Sequence, residues 1–201
     1  MKEDAGNGPG NFLLCGLDEA GRGPLAGPVC AAAVILSKGF PLEILNDSKK
    51  LSCAAREKAR TIIFQKALAW GIGWVSAPEI DKINIHKASL LAMALAYEEM
   101  AGAYPNITRH CSIRAVADGL YVPDLPVPCE PLVKADNEVS EVMAASILAK
   151  TTRDRLMEYY GIIYPEYGYE KHKGYPTKAH REAVLRYGPS PIQRLSFSVK
   201  I

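Results

Sequence analysis

The segment Leu17-Asp18-Glu19-Ala20-Gly21-Arg22-Gly23-Pro24-Leu25-Ala26-Gly27-Pro28 constrains this chain more than any other. It sets two adjacent carboxylates at the end of an apolar run, Phe12-Leu13-Leu14-Cys15-Gly16-Leu17, and follows them at once with a turn rich in glycine and proline. An acid pair is ordinarily solvated surface, but this one stands where a buried strand should emerge. Charge in such a place needs a compensating partner. A divalent metal ion would serve, and an arginine set among glycines is suited to gripping a phosphate.

With 201 residues, 48% of them hydrophobic and 23% charged, the chain suits one domain with a sizeable core, or one domain with a small appendage. The longest clean apolar run, Val29-Cys-Ala-Ala-Ala-Val-Ile-Leu36, is too short to span a bilayer, and residues 1–11 are polar and glycine-rich without an apolar signal-peptide core. The five cysteines contain no C-x-x-C pair. They suggest neither a disulfide framework nor a zinc site, and a reducing, cytoplasmic setting is expected. Cys15, Cys30 and Cys53 lie in or beside apolar stretches and are expected as small buried hydrophobes. Residues 170–201 carry an excess of lysine and arginine, compatible with a polyanion or with ordinary solvated surface.

Residues 12–17 and 29–36 read as two strands joined by the Gly/Pro turn, hence a hairpin. Ser52 is placed to cap a helix over 54–69; residues 72–76 form a third strand, and Pro78 opens helical stretches running to 100. A fourth strand, 112–117, ends in Asp118-Gly119, and a fifth, 129–133, ends in Lys134-Ala135-Asp136. A long amphipathic helix fits 138–160, residues 161–176 read as irregular, and a short helix fits 177–187. A hairpin followed by strands alternating with helices argues for a mixed sheet with helices on its faces.

Three strands thus end in acids. Neighbours on a regular strand point to opposite faces, so Asp18 and Glu19 could share a site only if the strand breaks at Ala20-Gly21 and lets both carboxyls converge. Asp136 stands just ahead of a helix whose N-terminal dipole favours a carboxylate. Any one of these acids alone reads as solvated surface, and Asp118-Gly119 alone as a turn. Together, Asp18, Glu19, Asp118 and Asp136, with no nearby histidine or cysteine, make a hard oxygen site for Mn²⁺ or Mg²⁺. Two such ions ~4 Å apart would serve an in-line phosphoryl displacement. The turn lacks the Gly-Lys-Ser/Thr of a P-loop, which excludes a nucleoside-triphosphate switch of that kind.

The chain resembles bacterial ribonuclease HII over residues 12–199. The resemblance is carried by Gly16-Leu-Asp-Glu-Ala-Gly-Arg-Gly-Pro-Leu-Ala-Gly-Pro-Val29, Asn46-Asp-Ser-Lys-Lys-Leu-Ser52, Ala117-Asp-Gly119, Lys134-Ala-Asp136, Ala144-Ala-Ser-Ile-Leu-Ala-Lys-Thr-Thr-Arg-Asp-Arg-Leu-Met157 and His172-Lys-Gly-Tyr-Pro-Thr177, in family order. It implies an α/β, ribonuclease H-like fold: a five-stranded mixed sheet flanked by helices, with a helical C-terminal extension. Residues 1–11 would be a flexible lead-in, 12–160 the catalytic domain, and 161–201 an extension packed on it and binding substrate. The implied activity is endonucleolytic, on the RNA strand of RNA–DNA hybrids and 5′ of single ribonucleotides embedded in duplex DNA, leaving 5′-phosphate and 3′-hydroxyl ends. A monomer is expected.

By motif position, Asp18, Glu19, Asp118 and Asp136 would be the family's metal-binding acids. Gly21-Arg22-Gly23 would grip the nucleotide at the scissile phosphate and check its 2′-hydroxyl, the one handle that separates RNA from DNA at a single nucleotide. Tyr175 would stack on the sugar at the RNA–DNA junction; Pro176 after it favours an extended backbone there. Lys49, Lys50, Ser146, Lys150, Arg153, Lys171 and Lys173 are candidate phosphate contacts. For Lys150 and Arg153 a helix-surface ion pair with Asp154 or Glu158 is an equal reading, and Ser146 could equally be a satisfied helix serine. His172 and His180 could touch nucleic acid or be structural. His86 and His110 are expected to be structural or solvated. The chain departs from the family at Gln193-Arg194-Leu195-Ser196-Phe197, where a His-Arg usually precedes the final Ser-Phe. That pattern also has the look of a sliding-clamp-binding peptide, although Leu195 and Phe197 could simply pack on the body.

Overall fold

The computed structural model describes residues 12–45 and 51–198, so Lys49 and Lys50 lie outside the described residues. Five strands form one mixed sheet in the order β3-β2-β1-β4-β5. β1 (Phe12–Ala20), β2 (Val29–Ile35) and β3 (Ala69–Val75) pair antiparallel; β4 (Ser112–Asp118) and β5 (Cys129–Leu132) run parallel to β1. The expected sheet is present, but β1 does not stop at residue 17. Its pairing with β2 continues through Glu19 with Ala31 to Ala20 with Cys30.

Helices cover both faces, as the fully buried β2 requires. On one face α3 (Ile85–Ala103) packs Ala92, Met93, Ala96 and Met100 against Cys15, Leu17, Ala33 and Ala117. On the other, α1 (Cys53–Lys66) and α5 (Ser140–Ile163) pack Ile63, Ala144, Ile147 and Leu148 against Ala32 and Val34. Two glycines set the spacing. A Cβ on Gly73 would fall 2.0 Å from the Ala92 carbonyl oxygen of α3, and one on Gly16 would fall 2.1 Å from the Glu141 carbonyl carbon of α5. Such contacts are impossible for a side chain, so both helices sit directly on the sheet backbone.

Local chemistry explains the element ends. The Ser52 hydroxyl accepts from the Ala55 N–H (3.2 Å), capping α1 as expected, but the helix ends at Lys66 because the alternating segment 69–75 joins the sheet. α2 (Ala77–Ile83) is separated from α3 by Asn84, whose positive φ of 70° turns the chain and whose side chain caps α3 through the Lys87 N–H. A short α4 (Pro105–His110) precedes β4. α5 starts two residues later than expected, after a left-handed Lys134 (φ 61°) and a 3₁₀ turn, Ala135–Asn137. Cys15 and Cys30 are buried, but Cys53, the first residue of α1, is exposed. None of the described helices is long and apolar enough to cross a membrane.

The tyrosine-rich stretch at 161–176 is more regular than its composition suggests. α5 runs on to Ile163, a 3₁₀ turn spans Pro165–Tyr167, and α6 (Tyr169–His172) and α7 (Lys178–Tyr187) follow. A third small core forms there, in which Tyr167 and Tyr169 stack at 5.4 Å over Met157 and Ala26.

His172 and His180 stack at 4.6 Å within this segment, and their bonds fix opposite tautomers. Nδ1 of His172 accepts from the Gly174 N–H (3.2 Å), so its proton is on Nε2, which donates to the Tyr167 carbonyl (2.8 Å). Nδ1 of His180 must instead donate to the Tyr175 carbonyl (3.0 Å). Burial lowers both imidazoles below their ordinary value of about 6.5. The pair's contribution to stability is therefore full above that value and is lost as pH falls beneath it. Long-range proton–nitrogen NMR at pH 8 should find both rings neutral, with His172 protonated on Nε2 and His180 on Nδ1. A charged ring or matching tautomers would refute the arrangement.

Candidate active site

The parallel register of β1 and β4 runs from Phe12 with Ser112 to Leu17 with Ala117, and Asp18 and Asp118 are the next residue on each strand. Their carboxyls therefore meet on the α5 face of the sheet. The turn after β5 adds Asp136, whose neighbour Ala135 donates its N–H to Asp118 Oδ1 (2.8 Å). Ligand oxygens of Asp18, Asp118 and Asp136 all lie within 4.8 Å of one another. Asp18 and Asp136 are buried and Asp118 is half-buried.

Glu19 is not in this group. The strand does break at Ala20-Gly21, where β1 ends and Gly21 takes a φ of 99°, but too late to bring the two carboxyls together: pairing with β2 keeps the strand regular through Glu19, and alternation sends its side chain to the α3 face. There it accepts from Arg22 Nη1 (3.1 Å) and borders a cavity of about 210 Å³ with His86, Ser89, Asp118 and Tyr121. His86 packs edge-on to Tyr121 at 4.6 Å.

Burial raises the Asp18 carboxyl well above the usual carboxylate range, and the charges of Glu19 and Asp118 add to it; a hydrogen bond from Ser146 opposes. Glu19 is also raised by burial, with Arg22 opposing. Burial and neighbouring negative charge thus disfavour the ionised forms of Asp18 and Glu19. A divalent ion among Asp18, Asp118 and Asp136 would remove that penalty, and an all-oxygen donor set suits Mg²⁺ or Mn²⁺. The residues fit such a group.

Ser146 and Lys150 lie one turn apart on α5. Ser146 bonds Asp18, while Lys150 Nζ donates to Asp154 Oδ1 (2.8 Å) and stands 5.8 Å from the centre of the Tyr175 ring. For Lys150 the ion-pair reading is thus the one present. Tyr175, 40% exposed, lies against the turn: a Cβ on Gly23 would be 3.6 Å from its Cε1. Ser146 thus bonds Asp18 directly, and one turn further along α5 a run of contacts leads from Lys150 through Tyr175 to Gly23. His172 and His180 are structural, holding Gly174 and the Tyr175 carbonyl. Lys173 pairs with Glu158 (2.9 Å), and Lys171 is exposed.

Buried against backbone carbonyls, Arg153 is not placed to meet a phosphate, and it forms no ion pair among the described residues. It is 1% exposed and donates to the carbonyls of Pro28 (2.9 Å), Ala26 (3.1 Å) and Lys173 (3.0 Å). Arg194, fully buried, donates to the carbonyls of Gly21, Arg22, Pro24 and Gly27. Burial, with the like charge of Arg153, lowers the Arg194 guanidinium to about 9, which leaves it charged at neutral pH. Sequence reasoning missed both roles. The one signal was Arg194's place in the tail motif.

The model of the family described as "Ribonuclease HII" matches residues 15–200. A ribonuclease HII from Treponema denticola is 54% identical over 199 residues, covering 94% of this chain and 99% of the relative. Among solved structures, the PCNA:RNase HII complex from Archaeoglobus fulgidus superposes with a TM-score of 0.70 at 24% identity, covering 94% of this chain and 97% of that one. Bst-RNase HIII in complex with Mn²⁺ superposes with a TM-score of 0.71 at 18% identity, covering 94% of this chain and 68% of that one. At those identities the two structures establish the ribonuclease H-like fold. The sequence matches establish more: the chain belongs to the ribonuclease HII family, and is a ribonuclease H of type 2.

Proposed function

We propose that this chain is a divalent-metal-dependent endonuclease that hydrolyses the RNA strand of RNA–DNA hybrids and cuts 5′ of single ribonucleotides embedded in duplex DNA, acting as a monomer and leaving 5′-phosphate and 3′-hydroxyl ends. The observation that carries the reading is the meeting of three aspartates beside a glycine loop on which an aromatic ring rests.

Asp18, Asp118 and Asp136 would hold divalent metal, with Glu19 as a fourth ligand at the same strand end once it exchanges Arg22 for a cation. Mg²⁺ or Mn²⁺ bound there supplies an activated water and charge stabilisation for the leaving oxygen. The Mn²⁺ in the Bst-RNase HIII structure supports that choice of ions. Arg22, exposed and released from Glu19, is free to pair with a phosphate. Gly23, exposed and lacking a side chain, allows a nucleotide to approach the backbone closely enough to have its 2′-hydroxyl tested, while Gly21, buried, leaves room for the Arg153 guanidinium packed against it. Tyr175 offers a flat face to the sugar beside Gly23, and its position is set by the two neutral histidines behind it. Lys49 and Lys50 remain candidate phosphate contacts.

A sliding-clamp contact through the tail belongs to the same proposal, supported by the archaeal relative's complex with PCNA. Gln193 and Arg194 are buried, so Leu195, 73% exposed, is the residue of that motif able to meet a partner without unfolding the tail.

Three duplexes test the assignment in Mg²⁺ or Mn²⁺: an RNA–DNA hybrid, DNA with one ribonucleotide, and all DNA. The first two should be cut and the third spared; comparable cutting of all three refutes the reading. Asp136→Asn should lower turnover by on the order of a hundredfold or more while duplex binding stays measurable. Unchanged turnover would show the acids to be wrongly assigned. Tyr175→Ala should reduce single-ribonucleotide cleavage about tenfold and hybrid cleavage less; equal losses would remove its junction role.

A further inference from the structure

We infer that Arg194 is the positioning residue of the Gly21-Arg22-Gly23 loop, and that Asp81 on α2 holds Arg194 in place; this rests on reading that loop as the grip on the nucleotide. Arg194 spends its fork on neutral carbonyls. Nη2 donates to Gly21 O (2.6 Å), Nη1 to Arg22 O (3.0 Å) and Pro24 O (2.9 Å), and Nε to Gly27 O (2.8 Å). The Phe197 ring lies 5.1 Å from the guanidinium carbon.

The peptide plane turns this inward grip into an outward display. In a trans peptide the carbonyl of one residue and the N–H of the next point in opposite directions. With the Gly21 and Arg22 carbonyls drawn down to the guanidinium, the N–H groups of Arg22 and Gly23 are turned away from it, and both residues are exposed. Those are the donors a phosphate oxygen or 2′-hydroxyl would use. The loop is thus set before any nucleotide arrives, which spares the ordering cost on binding.

Asp81 supplies the anchor on the far side. Its Oδ2 accepts from the Leu195 N–H (2.8 Å), and its Oδ1 accepts from the Ser196 N–H (2.9 Å) and the Ser196 hydroxyl. Just before Arg194, the Gly27 N–H donates to Ile192 O and the Arg194 N–H to Leu25 O, each at 2.8 Å. The arginine backbone is fixed from both sides, so its side chain delivers the fork at one place. Lysine keeps the charge but has no planar fork to span these carbonyls.

The test uses Asp81→Ala and Arg194→Lys in the full chain, with three readouts: the amide resonances of Arg22 and Gly23, Mn²⁺ affinity, and cleavage of DNA carrying one ribonucleotide. Asp81→Ala leaves the buried arginine intact, so it keeps the test decisive if Arg194→Lys does not fold. We expect the two amides to shift or broaden and kcat on the single-ribonucleotide duplex to fall about tenfold, with Mn²⁺ affinity within about twofold of the parent. Unmoved amides in a folded variant overturn the inference, as does a loss of Mn²⁺ affinity in step with activity, which would mark general damage. Should the parent protein cut no ribonucleotide, the nucleotide reading fails while the amide shifts still decide the role of Arg194.

Discussion

Mutual repulsion among Asp18, Asp118 and Asp136 is the constraint around which this molecule is arranged. Three carboxyls within 4.8 Å oppose one another at every pH where they are charged, and burial raises the cost. Such a cluster survives only where other forces hold it. Here the sheet does so: β1 cannot release Asp18 without breaking its ladders to both β2 and β4. The backbone N–H of Ala135 ties the third acid's turn to Asp118, and α5, seated directly on Gly16, brings Ser146 to Asp18. The destabilisation stored in the acids is what a cation would relieve on binding, so stability and affinity at this site oppose each other.

The acids Asp18 and Asp118 were legible in the sequence because each ends an apolar run, and parallel neighbours ending together bring their last residues together. Glu19 was not. Whether β1 stops at Leu17 or continues to Ala20 is decided by Cys30 and Ala31 across the hairpin, and nothing local to Glu19 encodes it. The cap at Ser52 lies in plain view, since its hydroxyl bonds the N–H three residues on.

Arg153, Arg194, His172 and His180 were illegible for one shared reason. Their bonds go largely to backbone groups, chiefly carbonyls, which every residue carries, so no complementary side chain marks them. An arginine paired with an aspartate can be guessed from the pair; an arginine paired with four carbonyls cannot. The tyrosines of 160–169 misled in a different way, because short turns hide the periodicity that a longer helix would display. Their small core becomes visible only when the loop at 21–28 is laid against it.

The hairpin of β1 and β2 is complete in sequence by residue 35, yet the guanidinium that orders its connecting loop arrives with residue 194. A growing chain carries Asp18 and Glu19 from the beginning, and β4 adds Asp118 midway. The loop at 21–27 is bonded by Arg194, and residues 195 and 196 by Asp81, so both sets of bonds wait for the last residues of the chain. Synthesis therefore delivers the acids long before the arginine that holds the loop beside them. Any product that ends short of residue 194 holds the charge of the site without the shape of its rim.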